Sequence, residues 1–260
     1  MNILFIGDIV GKPGRLAVQK VLPKLKKLKK IDLVIANGEN LAHGLGITQK
    51  TWVEMKNAGV DVGTSGDHVF NKTDVNPILN DPDSRLIRPA NAFEDMPGNG
   101  YLNLVIKKKR VLVINLLGQV FITKEAKSPF DAADLLLSNN SGDIIFVDMH
   151  AEATSEKVAI GWHLDGRATA VVGSHTHVPT SDTRILPGGT AYVSDAGMCG
   201  LRDGIIGVDR AVIMPRFLTG EKQPHEIAEH GPAVFNSVLI EINSKNKASK
   251  IIRLDKEFEV

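Results

Sequence analysis

The chain has 260 residues, enough for one substantial core or two small ones, and its 43% hydrophobic and 23% charged content is an ordinary globular balance. A net charge of +1 gives no general pull toward nucleic acid or membrane, and the single cysteine, Cys199, excludes an internal disulfide and a cysteine-based zinc site. No apolar run nears the roughly 20 residues that span a bilayer. The opening MNILFIGDIVGK shows neither a basic leader nor a cleavage site, so the expectation is a cytoplasmic protein without a membrane partner.

Aromatics are only 5% of the chain, so aliphatic side chains must fill most of the core. Residues 2–6 read as a buried strand. Pro13 suits the first turn of a helix, in which Val21, Leu22, Leu25 and Leu28 fall on one face. Lysines 24, 26, 27, 29 and 30 cover the rest, a solvated face and C-terminus by the usual meaning of such runs; an RNA or other polyanion contact is the competing reading. Residues 32–36 and 60–64 predict strands, with a helix over 48–58 between them. The stretch 81–100, rich in Pro, Asn, Asp and Gly, predicts a long surface loop. Residues 110–116 and 143–148 are near-continuous apolar strands, the pattern of strands covered on two faces. A helix over 151–164 and a strand over 169–173 follow. Beyond that, 184–186, 190–194, 208–215 and 234–242 read as strands with few helices. The alternation of β and α followed by a mostly β third predicts one layered α/β domain over 1–260, with a large mixed sheet or two sheets.

The chemistry gathers where strands end. Gly7-Asp8, Asn37-Gly38-Glu39-Asn40, Gly66-Asp67-His68, Asp148-Met149-His150 and His175-Thr176-His177 each follow an apolar run. In open α/β sheets ligands bind at that edge. A single Asp after a strand is usually a turn or cap residue, and a single His is usually satisfied by the backbone. His43, His163, His225 and His230 are assigned to that background. The combination differs: glycine precedes Asp8, Glu39 and Asp67, allowing close approach, and four of the eight histidines stand at strand exits. His175 and His177 are two apart on extended chain and can point the same way. Asp8, Glu39, Asp67, His150, His175 and His177 thus form a candidate ligand set. Carboxylates and imidazoles without thiolates favour Mn, Fe or Zn. Six ligands exceed one tetrahedral ion and suit two ions about 3.5–4 Å apart, bridged by a carboxylate.

The motifs GDIVGKPGR at 7–15, ANGEN at 36–40, GDH at 66–68, DMHAEATSEK at 148–157, GSHTHVPT at 173–180 and SDAGMCG at 194–200 resemble, in order, the calcineurin-like metallophosphoesterases, and most of all their bacterial YmdB branch. The resemblance implies an αββα sandwich of two mixed β-sheets flanked by helices. It implies two transition-metal ions, iron foremost, with Mn or Zn as alternatives, and a homo-oligomer. It implies hydrolysis of phosphodiesters, 2′,3′-cyclic nucleotides included, by attack of a metal-bridging hydroxide. Asp8, Glu39, Asn40 and His177 would serve one ion; Glu39, Asp67, His150 and His175 would serve the other, with Glu39 bridging. His68 would protonate the leaving oxygen. Lys12 and Arg15 either meet the phosphate or begin a solvated helix. The sequence departs from the family pattern at one ligand, with Asp67 in GDH where GNH is usual. Two rival functions follow from the same residues: a phosphomonoesterase, or a regulatory module that binds RNA or a protein partner.

Overall fold

The first strand explains the layering. In β1 (Asn2–Ile6), Ile3 and Phe5 point to one face while Leu4 and Ile6 point to the other, and all four are buried. A strand apolar on both faces must lie between two other layers. The computed structural model describes residues 1–223 and 226–259, so His225 lies outside the described residues.

After β1 come β2 (Asp8–Ile9), α1 (Gly11–Leu28), β3 (Leu33–Asn37), α2 (Gln49–Ala58) and β4 (Val62–Thr64). Next are α3 (Val75–Asn80), β5 (Tyr101–Ile106), β6 (Lys109–Leu117), α4 (Pro129–Asn139), β7 (Ile144–His150), α5 (Thr154–His163) and β8 (Ala170–Ser174). The chain then runs through β9 (Arg184–Ile185), β10 (Ala191–Val193), β11 (Met198–Leu201), α6 (Arg210–Thr219), β12 (Pro232–Phe235), β13 (Ser237–Ile242), β14 (Ala248–Arg253) and β15 (Lys256–Glu259).

One sheet has the order β14-β13-β1-β3-β4, and a second has β5-β6-β7-β8-β10-β9. Their inner faces share a core: Ile3, Phe5, Ile35 and Val238 meet Val113, Phe146 and Val172, with the rings of Phe5 and Phe146 centred 5.5 Å apart. Outside the first sheet, Leu4, Val34 and Ala36 pack on Val18, Leu22, Trp52 and Met55 of α1 and α2. Outside the second, Leu112, Val147 and Val171 pack on Ala133 of α4 and Ile160 of α5. The layers are therefore helices, sheet, sheet, helices. Strands β1, β3 and β4 are mutually parallel, as are β6, β7, β8 and β10, so each group ends at one edge.

Several sequence expectations change. A third sheet, β15-β12-β11-β2, joins the expected two and carries Asp8. Residues 208–215 do not form a strand: the Asp209 carboxylate accepts the Ala211 N–H and starts α6, which buries only Ile213. A half-buried strand would need alternate residues covered, and this segment has no such partner. The expected strand over 234–242 is two, since Asn236 separates β12 from β13 and each enters a different sheet. Strands β5, β14 and β15 and helix α4 have no counterpart in the sequence reading. Leu28 does not join the apolar face of α1; it is 76% exposed at the helix end, whereas Leu22 and Leu25 are buried. The first turn of α1 starts at Gly11, ahead of Pro13.

Candidate metal centre

Strands β1, β3, β4, β7 and β8 converge at one edge, and the polar groups that follow or end them meet there. His150 is the last residue of β7 and fully buried. Its Nε2 lies 3.0 Å from Glu39 Oε1, 3.4 Å from Asp67 Oδ1 and 3.0 Å from His175 Nδ1. His175 Nδ1 is 3.6 Å from the same Asp67 oxygen. Glu39, Asp67, His150 and His175 each offer one ligand atom, and these atoms all lie within 4.8 Å of one another. Beside them, His177 Nε2 stands 3.9 Å from Asp8 Oδ1 and 3.3 Å from Asn40 Nδ2, while Asp8 Oδ2 accepts the His175 N–H at 3.1 Å. All seven residues singled out as ligands from the sequence therefore lie in one place.

The packing leaves no room for alternatives at Gly66. A Cβ there would sit 2.1 Å from His150 Nε2 and 2.4 Å from Glu39 Oε2. A Cβ on Gly7 would sit 1.8 Å from the Gly197 carbonyl oxygen. These two glycines allow the close approach anticipated for them; Gly38 has more space, its nearest neighbour being Leu41 Cδ1 at 3.2 Å.

Two observations test whether the site suits metal. Buried Asp8 Oδ1 and Asp67 Oδ1 find no hydrogen-bond partner, although a buried carboxylate oxygen normally requires one. Moreover, each of the three imidazoles is held from behind. His150 Nδ1 lies 2.9 Å from Ser174 Oγ, which itself donates to Asp148 Oδ1 at 2.7 Å. His175 Nε2 meets Glu152 Oε2 at 3.2 Å, and His177 Nδ1 donates to the Ile206 carbonyl at 2.8 Å. The remaining nitrogen of every ring is thereby directed at the carboxylates, the arrangement that fixes the tautomer of a metal-ligating histidine. The residues fit a metal site.

The electrostatics agree. Burial disfavours charge on His150, yet Glu39, Asp67 and Asp8 around it hold its pKa well above the ordinary value. Burial works against the Glu39 carboxylate too, and the neighbouring His150 outweighs it, keeping Glu39 below its usual range; Asp67 behaves likewise. The Asp8 carboxyl is raised, mainly by burial. Burial and the adjacent His150 push His175 down to about 4, and burial pushes Asp148 up to about 6. Acids that draw a proton so firmly onto a buried imidazole create the concentrated negative potential that attracts a cation.

His68 lines a cleft of about 330 Å³ over this cluster, with Val10, Leu45, Ile206 and Val208 among the other walls. Its backbone N–H donates to Glu39 Oε2 at 3.1 Å, and Asn71 Nδ2 lies 3.2 Å from its Nδ1. Lys12 and Arg15 do not line the cleft; they pair with Glu229 and Glu54 at 2.7 Å. Among the described residues the background histidines stay out of the cluster, though not by backbone bonding: His163 pairs with Asp134 at 2.9 Å, and His43 and His230 are exposed. Sequence reasoning missed Asn37, Asp148, Glu152 and Ser174. All four stand inside motifs already noted, but their value comes from contacts made across strands.

A fold of this kind, with a carboxylate and imidazole cluster at the strand ends, is that of the calcineurin-like metallophosphoesterases. A family model described as "YmdB-like protein" matches residues 4–254, and the chain belongs to that family. It is 46% identical over 257 residues to the "2′,3′-cyclic-nucleotide 2′-phosphodiesterase" of Bacillus subtilis (strain 168), covering 98% of this chain and 96% of that relative. A crystal structure of a hypothetical protein from Thermus thermophilus superposes with a TM-score of 0.94 at 38% identity, covering 99% of each chain. A crystal structure of a novel phosphatase from Mycoplasma pneumoniae superposes with a TM-score of 0.93 at 35% identity, over all of this chain and 94% of that one. Among the described residues no helix is long and apolar enough to cross a membrane.

Proposed function

We propose that the protein is a two-metal phosphodiesterase that hydrolyses phosphodiester bonds, among them those of 2′,3′-cyclic nucleotides. The observation that carries this reading is the group of three imidazoles, each held from behind, aimed at buried carboxylates of which two oxygens, Asp8 Oδ1 and Asp67 Oδ1, have no hydrogen-bond partner. The name of the Bacillus subtilis relative supplies the substrate class. Asp8, Glu39, Asn40 and His177 would hold one ion, and Glu39, Asp67, His150 and His175 would hold the other. Iron, manganese and zinc all suit such donors, and the family resemblance favours iron.

When bound, such ions supply Lewis acidity toward phosphoryl oxygens and activation of water near neutral pH. The chain's own residues do the rest. Ser174, Glu152 and the Ile206 carbonyl keep the three rings oriented. Asn71, 3.2 Å from His68 Nδ1, orients the ring, and the His68 imidazolium gives a proton to the departing alkoxide and is left as the neutral imidazole. Val10, Leu45, Ile206 and Val208 form the apolar part of the cleft and limit water around the reacting group.

The protein works as one domain in the cytoplasm and as a homo-oligomer. The test is elemental analysis of freshly purified protein, with activity on bis-p-nitrophenyl phosphate and 2′,3′-cyclic AMP before and after chelation. Two equivalents of metal and chelator-sensitive diester cleavage are the expected results. Hydrolysis of the monophosphate product in preference to the cyclic diester would favour a phosphomonoesterase. The exposed lysines 24, 27 and 30 of α1 and its end support a second reading, an RNA contact, whose affinity would fall steeply with salt.

A further inference from the structure

Among the charged motif residues with no part in the chemistry just described are Lys157, which ends DMHAEATSEK, and Asp195 in SDAGMCG. They meet in the interior. Lys157 Nζ of α5 lies 2.6 Å from Asp195 Oδ2, with the side chains 2% and 1% exposed. Burial to this degree costs so much desolvation that stability alone is a poor reason for the pair. Its other contacts supply a better one. Asp195 Oδ2 also accepts the Thr176 N–H at 3.1 Å and the Thr176 hydroxyl at 2.8 Å, while Oδ1 accepts the Gly197 N–H at 2.7 Å. The Asp195 backbone is tied in turn to Thr180, its N–H donating to Thr180 Oγ1 at 2.9 Å.

Thr176 is the residue between His175 and His177. Both histidines have left-handed backbone, with φ of +100° and +66°. Residues with a side chain stay in that region only where their surroundings hold them. Asp195 grips the intervening residue by both its backbone and its hydroxyl, and Lys157 neutralises the charge that this grip requires. The geometry points to Asp195 and Lys157 as positioning residues that hold His175 and His177 in their chelating conformation. The inference rests on the reading that these two histidines bind metal.

The test uses the full chain, stripped by chelator and titrated with Mn²⁺ by calorimetry, with circular dichroism and melting temperature recorded for each variant. Thr176→Ser keeps both hydrogen bonds and should bind as wild type does. Thr176→Val loses the hydroxyl bond and should bind severalfold more weakly. The double variant Lys157→Met/Asp195→Ala leaves no lone buried charge and should fold, yet bind Mn²⁺ about 10–100-fold more weakly, the usual cost of losing the groups behind a ligand. Wild-type affinity in the folded double variant would overturn the inference, because a merely structural pair lowers the melting temperature without weakening Mn²⁺. Should the double variant not fold, equal affinities of Thr176→Val and Thr176→Ser overturn it instead. A wild-type protein that takes up no Mn²⁺ would sink the metal reading and this inference together.

Discussion

The two halves of the candidate metal centre hold their histidines differently. In the half formed by Glu39, Asp67, His150 and His175 one ligand candidate is rooted in a strand: His150 is the last residue of β7 and fully buried, and its far nitrogen is fixed by Ser174 and Asp148, themselves strand residues. In the half formed by Asp8, Asn40 and His177, Asp8 is a buried residue of β2 but the histidine leans on a loop. His177 is half-buried, and its far nitrogen is fixed by the carbonyl of Ile206, a residue with φ of +46° in the segment between β11 and α6. Strands share a rigid, hydrogen-bonded frame, whereas a connecting segment with a strained β-branched residue depends on its few contacts. On the proposed reading, the half around His150 holds its ion more tightly and the half around His177 exchanges its ion more readily.

The largest expected effect separates the halves. His150→Ala should reduce diester cleavage to the level left by full chelation, whereas His177→Ala should still retain one equivalent of metal. Elemental analysis of the two purified variants checks this, and equal metal loss in both would break the distinction. Next, His68→Ala should bind metal normally in both halves but lose turnover by about 10²–10⁴-fold on substrates with poor leaving groups, and much less with p-nitrophenyl esters. Unchanged activity on poor leaving groups would remove His68 from the acid role. Third, Ser174→Ala should weaken the ion beside His150 about 10–100-fold by freeing the ring of His150, a loss visible in a metal titration. Fourth, Asp67→Asn should keep two metals while changing turnover or metal preference, because it removes one negative charge from the half around His150. The smallest effect belongs far from either half: Lys27→Ala on the exposed face of α1 should change stability by no more than about 0.5 kcal/mol and leave cleavage untouched. A salt-sensitive loss of RNA binding in that variant would bring the second reading forward.

Much of the molecule was legible in the chain itself. Alternating β and α patterns located β1, β3, β6, β7 and β8 and helices α1 and α2 to within a few residues, because strands buried on two faces must be apolar throughout and an amphipathic helix must repeat its apolar residues. That the candidate ligands would gather in one place was legible for a related reason: each follows or ends such a strand, and parallel strands deliver their C-terminal ends to one edge. Tertiary structure decided the rest. Residues 208–215 have β-like composition, but only the Asp209 cap and the lack of a neighbouring strand make them a helix. Asp148, Ser174, Glu152 and the Ile206 carbonyl gain their roles from partners far along the chain, which no local pattern encodes. The same holds for Lys157 and Asp195, ordinary charged residues until folding buries them against each other beneath Thr176. Residue type and strand position specify which groups reach the site; only packing specifies which nitrogen or oxygen each one turns toward it.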